Sequence, residues 1–317
     1  MATVLKSADL VDLDRTVRAA FETAYNAPET YTPIHTQFAT TQQSMSRENL
    51  YPLAMDASTI REWSEGERVF NGLVVESARV VNKKFELSYK VARESLDDDM
   101  SGTVQRLVSR LRSGAGKFRR HEDKLVFSVI KNNSTALDAV ALFSASHPVD
   151  ISDSSAGTFS NTDSGALTIA NLAATRRLLQ EFKGADGDPI NDDPRVILVP
   201  PALEATARKI VGAESIIYTG TATDNPETNV WRGYFTVIVC PYLAAAQGGS
   251  DSYWYMVDNT DPEDRALIYQ VREEVEIVTR FNPSDPGVFD LDVYTWGARA
   301  RRTAAAGNPR RIFRRTG

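Results

Sequence analysis

One segment of the sequence, residues 101–131, constrains the fold most, because it has the pattern of a single very long amphipathic helix. Its apolar residues follow the spacing i, i+3, i+4, i+7 that places side chains on one helix face: Val104, Leu107, Val108 and Leu111. The pattern resumes at Phe118, and the whole helix would be roughly 45 Å long. Gly114 and Gly116 are expected to weaken or bend its middle. A helix longer than the usual globular range predicts a support on which other elements pack.

The residues before this helix predict extended structure. Residues 1–45 contain one short helical pattern, from Leu13 to Tyr25, and otherwise indicate an extended arm. In residues 84–91 apolar and polar side chains alternate, as in a half-buried strand, after a β-branched run over residues 69–81. Asn82-Lys83 would suit a turn between them, so a long β-hairpin is predicted here.

The second half of the chain mixes helices and strands. A polar loop over residues 146–165 precedes a helix that stops at Gly184. Pro200-Pro201 opens a further helix, since a proline at the first helical position loses no hydrogen bond. Strands are predicted at 196–199, 234–239, 253–257, 266–279 and 288–298. The order of elements indicates an α+β fold, and 317 residues suggest more than one domain.

Charge is distributed unevenly along the chain. Residues 1–298 carry 29 basic and 42 acidic side chains, whereas the remainder has seven arginines and no acid. An acidic body repels a phosphate backbone, which argues against a protein whose main surface grips nucleic acid. The arginine-rich end could face nucleic acid, or it could be a strap on its own or a neighbouring subunit. Ile312 and Phe313 favour the strap, because a free electrostatic arm gains nothing from apolar side chains.

The sequence offers little support for catalysis or a cofactor. Cys240 ends an apolar strand, where a buried inert thiol is expected, and one cysteine excludes an intrachain disulfide. His147 precedes a proline and more simply shapes a loop, although a hydrolase that uses it with a nearby serine is the alternative. Residues 97–99 could bind a divalent cation, but acids also favour a helix N-terminus. The prediction is no enzyme, no metal and no cofactor.

Membrane insertion is not expected. The longest apolar run, residues 234–246, is too short to cross a bilayer, and the N-terminus lacks the pattern of a signal peptide. The chain is therefore expected to be soluble and cytoplasmic when it is synthesised.

A series of motifs in a fixed order resembles the major head subunit family of Mu-like phages and prophages, which has the Hong Kong 97-type capsid fold. The motifs are VVNKKFELSYKVARESLDDD (80–99), LFSASHP (142–148), VILVPPALEATAR (196–208), Asn225-Pro226 followed by YFTVIVCPYL, WYMVD (254–258), IYQVREE (268–274) and VYTWGARAR (293–301). The resemblance covers about residues 45–302. The arginine-rich ending departs from the family's expected glycine and aromatic ending.

The resemblance implies a division of the chain into parts. They are an N-terminal arm (1–45), an extended β-hairpin loop over a neighbouring subunit (46–95), a peripheral domain with the long helix as its spine (96–184), an axial domain (185–262), return strands to the peripheral domain (263–302) and an arginine-rich tail (303–317). Residues on these parts become candidates for contacts between subunits: Trp63, Phe70, Lys83, Lys84, Phe85, Tyr218, Arg310, Arg311, Ile312 and Phe313. Deleting residues 62–92 should then leave a foldable core that forms no stable shell.

The implied function is structural. Hexamers and pentamers would close into an icosahedral virion head around double-stranded DNA, contacted weakly and without sequence specificity. A separate scaffold protein, a portal and decoration proteins would be further partners. The resemblance to the wider fold would also allow cross-linking through Lys83 or Lys84, but the sequence identifies no partner asparagine or catalytic acid. The alternatives are an encapsulin-like nanocompartment shell, the hydrolase with His147, and a DNA-binding module that uses Arg299 to Arg315.

Overall fold

The structure is a computed structural model that describes residues 7–27, 31–52, 77–98, 102–151, 154–184, 187–191, 193–216, 227–282 and 284–317. The helices are α1 (Ser7–Asn26), α2 (Arg93–Asp97), α3 (Thr103–Lys131), α4 (Ile169–Gln180), α5 (Glu204–Gly212) and α6 (Pro286–Leu291). The strands are β1 (Thr40–Gln43), β2 (Glu48–Pro52), β3 (Ser77–Val81), β4 (Lys83–Ala92), β5 (His147–Pro148), β6 (Thr158–Phe159), β7 (Thr162–Ser164), β8 (Val196–Val199), β9 (Ser215–Ile216), β10 (Glu227–Thr228), β11 (Thr236–Val239), β12 (Trp254–Val257), β13 (Leu267–Arg280), β14 (Val293–Ala306) and β15 (Ile312–Thr316). The α+β class is confirmed.

The long helix α3 is unbroken and packs on a sheet of four strands in the order β1-β13-β14-β4, here called the long sheet. Strands β13 and β14 have 14 residues each and pair antiparallel over most of their length. Gly114 is buried within α3, and a Cβ atom there would lie 3.0 Å from the Leu87 side chain of β4. The glycine therefore allows close approach of helix and sheet, and the helix continues through it.

Residues 7–26 differ from the expected extended arm. They form α1, which lies beside α3 and buries one apolar face against it and the long sheet through Leu10, Leu13, Val17 and Phe21. The sequence pattern from Leu13 to Tyr25 found this helix but not its docking. Strand β1 then joins the long sheet parallel to β13, so this part of the N-terminal region is integrated into its own subunit.

The expected hairpin around Asn82 is also different in the structure. Strand β3 pairs antiparallel with β2, from Ser77 opposite Pro52 to Val81 opposite Glu48, and β4 pairs with β14 over ten residues. Asn82 is thus a corner between two sheets, and the hairpin is formed by β2 and β3. Residues 53–76 between them, which include Trp63 and Phe70, lie outside the described residues.

The second sheet has five short strands in the order β11-β8-β12-β15-β7. Its inner strands β8 and β12 are buried at every position, as expected for strands covered on both faces. One face packs against the end of α3 and the long sheet, and the other packs against α4 and α5. The predicted strands at 196–199, 234–239 and 253–257 are confirmed here as β8, β11 and β12.

Candidate assembly surfaces

The base of the β2–β3 hairpin is fixed by a buried polar cluster around Asn82. The Asn82 side-chain amide donates to Ser44 Oγ at 2.9 Å and to the Ser46 carbonyl at 3.0 Å. Its carbonyl oxygen accepts from Gln270 Nε2 at 2.7 Å, and Gln270 Oε1 accepts from Tyr51 at 2.7 Å. Because Gln270 belongs to β13, the cluster attaches the hairpin to the long sheet. Buried polar groups with their bonds made in this way specify one orientation.

Lys83, Lys84 and Phe85 follow this corner at the start of β4. Both lysines are exposed, and neither forms an ion pair with another residue in the described ranges. Phe85 instead contacts its own spine helix, with its ring 4.4 Å from the His121 ring in an edge arrangement. Burial lowers the pKa of His121 to about 4. The two lysines remain candidates for contact with a neighbour, whereas Phe85 is half-buried within its own chain.

Arg310 to Phe313 are buried in their own subunit, which corrects their assignment as candidate contacts between subunits. Strand β15 lies between β12 and β7, where Ile312 pairs with Val257 and Phe313 with Met256. The Ile312 and Phe313 side chains enter the cores on opposite faces of the sheet. Of the alternatives for the tail, the structure shows the strap on the chain's own body. The feature of the sequence that indicated the strap was the apolar pair Ile312 and Phe313 among the arginines.

The tail arginines are neutralised by carboxylates and carbonyls of the same chain. Arg311 contacts Asp258 at 2.8 Å and Asp264 at 3.0 Å, with Asp258 fully buried. Burial alone would lower the pKa of Arg311, but these two carboxylates raise it. Arg310 donates to the Val149 carbonyl at 2.5 Å, and Arg315 contacts Asp163 at 2.5 Å. The positive charge of these arginines, which the sequence analysis left open to nucleic acid, is therefore paired with groups inside the fold.

The residues weighed for catalysis do not form a nucleophile with a base. His147 is fully buried, its Nδ1 lies 2.5 Å from Asp138, and its ring stacks on Phe159. Its Nε2 has no hydrogen-bond partner among the described residues, so no described serine hydroxyl is placed for activation. Burial raises the pKa of the Cys240 thiol to about 12, which keeps it protonated and unreactive.

The described residues contain no cluster of histidine, cysteine and acidic side chains suited to a metal ion. None of their helices is both long enough and apolar enough to span a bilayer.

Exposed apolar side chains mark two surfaces that the sequence analysis missed. Phe289 is 83% exposed and Leu291 is 71% exposed, both on α6 at the tip of the β13–β14 hairpin. Met45 and Leu50 are 88% and 64% exposed beside the β2–β3 hairpin. Residues 288–291 were predicted to begin the strand 288–298 but lie in α6, because the six residues of α6 are too few to show a helical period.

Comparison with known proteins identifies the family of this chain. The sequence profile described as phage capsid protein matches residues 76–314, which include α3, strands β4, β13 and β14 of the long sheet and most of the five-stranded sheet. This chain belongs to the phage capsid protein family. It is a structural protein and not an enzyme, and the resemblance to Mu-like head subunits is confirmed by a relative. The major head subunit of the Mu-like prophage FluMu of Haemophilus influenzae is 28% identical over 125 residues. That match covers 39% of this chain and only 38% of the relative.

Solved shells share the fold of this capsid protein, which confirms the Hong Kong 97-type architecture. The capsid of bacteriophage JBD30 decorated with minor capsid protein trimers is 20% identical, with a TM-score of 0.51 over 68% of this chain and 92% of that one. The mature capsid of bacteriophage PhiM1 is 12% identical, with a TM-score of 0.51 over 90% and 87%. The SrpI encapsulin of Synechococcus elongatus is 10% identical, with a TM-score of 0.51 over 92% and 89%.

Proposed function

We propose that this chain is the major head subunit of a Mu-like tailed phage or prophage, and that its hexamers and pentamers close into an icosahedral shell around double-stranded DNA. The observation that carries the proposal is the family match over residues 76–314, which contain the spine helix, together with the FluMu head subunit as a relative. Its location is then the virion, with assembly in the host cytoplasm.

The proposed partners follow from the surfaces of one subunit. The β2–β3 hairpin is held rigidly at its base, and that base attaches it to the rest of the described chain. A hairpin fixed in this way is suited to contact a neighbouring copy. The domain division of the sequence analysis stays part of the proposal, with α1 and β15 assigned to the body of the subunit. A separate scaffold, a portal and weakly contacted DNA complete the expected set of partners.

A nanocompartment shell is the second candidate, because the fold is shared with an encapsulin. Shells of the two kinds differ in contents: DNA packaged through a portal in one, cargo enzymes in the other. The head-subunit relative favours the phage.

Electron microscopy of the heaviest fraction after expression tests the proposal. The chain is expressed alone and, in parallel, with the genes that flank it. Closed shells or capsomer-walled tubes of uniform width are expected. Only monomers or small rings in both expressions would contradict it. DNA or a cargo enzyme in shells from the native host then distinguishes phage from compartment.

A further inference from the structure

The loop joining β13 and β14 forms an acidic and apolar projection, here called the acidic tip (residues 281–292). The tip has three aspartates and no basic residue. Phe289 and Leu291 project from it almost fully exposed, whereas Val288 points inward and is buried. Asp292 lies 3.7 Å from Arg93, whereas Asp290 is exposed at the end of the tip. Two large apolar side chains beside exposed negative charge indicate a surface that a partner covers.

A cavity of about 660 Å³, here called the basic pocket, lies at the other end of the long sheet. It is an open pocket lined by β3, the start of β4, the loop after α3 and the end of β14. Its lining is mainly apolar: Ala78, Val81, Ala136, Leu137, Ala304 and Ala306. Lys83 contributes the positive charge at this cavity that pairs with no acid in the described residues, because Arg79, which also lines it, is paired with Glu48. The acid in its lining, Asp138, is already paired with buried His147.

The tip of one subunit cannot reach the pocket of the same subunit. Val293 begins β14 beside the tip, and Ala304 lines the pocket eleven residues further along that strand. At the usual rise per strand residue the two are roughly 35 Å apart. A rigid strand paired on both sides keeps them apart, so the tip and the pocket can meet only between two copies.

We propose that the acidic tip of one subunit inserts Phe289 and Leu291 into the basic pocket of a neighbouring copy, with Asp290 facing Lys83. The inference rests on the proposed function, since it names the surfaces through which the shell subunits join. Apolar side chains meet an apolar lining of sufficient volume, and the charges around them are opposite. The contact is head-to-tail, so each subunit uses its tip on one neighbour and its pocket on another, as closure into a ring requires.

A charge swap tests the contact in the full chain. Lys83→Glu alone and Asp290→Lys alone are each expected to lower the yield of shells or tubes by about tenfold or more, because like charges then meet. The double variant restores the opposite pairing and is expected to recover most of that yield. Both positions are exposed, so the thermal unfolding midpoint of each variant should stay near that of the unchanged chain. Loss without rescue would mean that the pocket holds another occupant, and the inference would be wrong.

Disulfide trapping gives a second, direct test. Lys83→Cys and Asp290→Cys are combined in one chain, which is assembled and then oxidised with diamide. Because Cys240 is fully buried with a raised thiol pKa, it should not react. A ladder of cross-linked oligomers on denaturing gels is expected, since each copy has one cysteine at each end. The matched control, Lys90→Cys with Asp290→Cys, places its thiol on the opposite face of β4 and should give no ladder.

The outcomes separate this inference from the proposed function. Normal shells from the unchanged chain, with no ladder from the Lys83 and Asp290 pair, would overturn the inference and leave the head-subunit function standing. No shell from the unchanged chain in either expression would overturn both. A ladder specific to the Lys83 and Asp290 pair in assembled particles supports both.

Discussion

Arg311 carries its positive charge inside the molecule, where it joins β15 to the loop after β12 through Asp258 and Asp264. Removing one partner of a buried pair leaves the other charge without compensation, which costs about 3–5 kcal/mol. Arg311→Met is therefore expected to lower the free energy of unfolding by that amount, measured by urea denaturation. The control is Arg299→Met, whose ion pairs with Glu273 and Glu276 are exposed and contribute about 0–1 kcal/mol. Equal losses in both variants would contradict the role of burial.

Two neighbouring acids on α3 should respond to acid in opposite ways. Burial by itself would raise the pKa of Asp123, but hydrogen bonds from His35, Tyr31 and two backbone amides hold it below its usual value. Its contribution to stability is present above its unfolded pKa and is lost as the pH falls through its folded pKa. Glu122 is different, because burial raises its pKa against the opposing charge of Arg302. As the pH falls, Glu122 takes up its proton at a higher pH in the folded state than in the unfolded state. This uptake favours folding as the pH falls.

The opposite pKa shifts of Asp123 and Glu122 predict how the slope of stability against pH changes in two variants. Asp123→Asn should be less stable than the unchanged chain at neutral pH, and its stability should fall less on acidification below about pH 4. Glu122→Gln should make the acid-induced fall steeper. Urea denaturation at a series of pH values measures both slopes, and parallel curves for the two variants would refute the assignment.

At the scale of elements, the corner at Asn82 changes which deletion tests the hairpin. Removing residues 62–92 would delete β4, a strand paired with β14 over ten residues, and would break the fold itself. Because Pro52 and Ser77 are paired, residues 53–76 can instead be replaced by Asn-Gly, a two-residue turn that suits a hairpin. This variant is expected to unfold with the same cooperativity in urea as the unchanged chain, but to form no shells by electron microscopy. Normal shells would show that the excised segment is not required for assembly.

The contact of α3 with the long sheet predicts a second effect at this scale. Replacing a helical glycine usually favours the helix by about 0.5–1 kcal/mol. At Gly114 the new Cβ would meet Leu87 at 3.0 Å, so Gly114→Val is expected to destabilise by about 1–3 kcal/mol. The control is Gly212→Ala, which meets no atom within 4 Å. Thermal unfolding measures both, and relief of the loss by adding Leu87→Ala would locate the clash.

The elements that the sequence predicted well are those whose own periodicity is strong. The spine helix, β8 and β13 were found because burial imposes their pattern locally. Strand β14 was predicted at 288–298 but runs from Val293 to Ala306. The pairing of β3 with β2 was missed, since a turn at Asn82 satisfies the same local pattern as a corner. The place of β15 in a sheet was missed as well, because its partners are far away in the chain and its arginines read as solvated. Pairing and assembly depend on distant residues, which one local pattern does not contain.

For the whole molecule, the charge of the surface follows from where the tail lies. The seven arginines from residue 299 onward are mostly used within the chain: Arg302, Arg310, Arg311 and Arg315 are buried, Arg299 and Arg301 contact Glu273, and Arg314 lies over the rings of Phe143 and Tyr253. The surplus of acidic side chains in residues 1–298 therefore dominates what solvent and DNA meet.

This distribution predicts that the protein repels the DNA that its shell would enclose. Binding to double-stranded DNA grows with the number of phosphates that free cations neutralise, and the tail offers few. Fluorescence anisotropy with a labelled duplex at physiological salt should show no saturation up to about 100 μM protein, the weak end of non-specific binding. Arg314→Ala should leave the result unchanged, because that side chain already packs on aromatic rings. Micromolar affinity that falls steeply with added salt, and that Arg314→Ala weakens, would instead make the tail a DNA-binding arm. A shell wall without such affinity lets a packaged genome slide and leave, which is the property that a phage head requires.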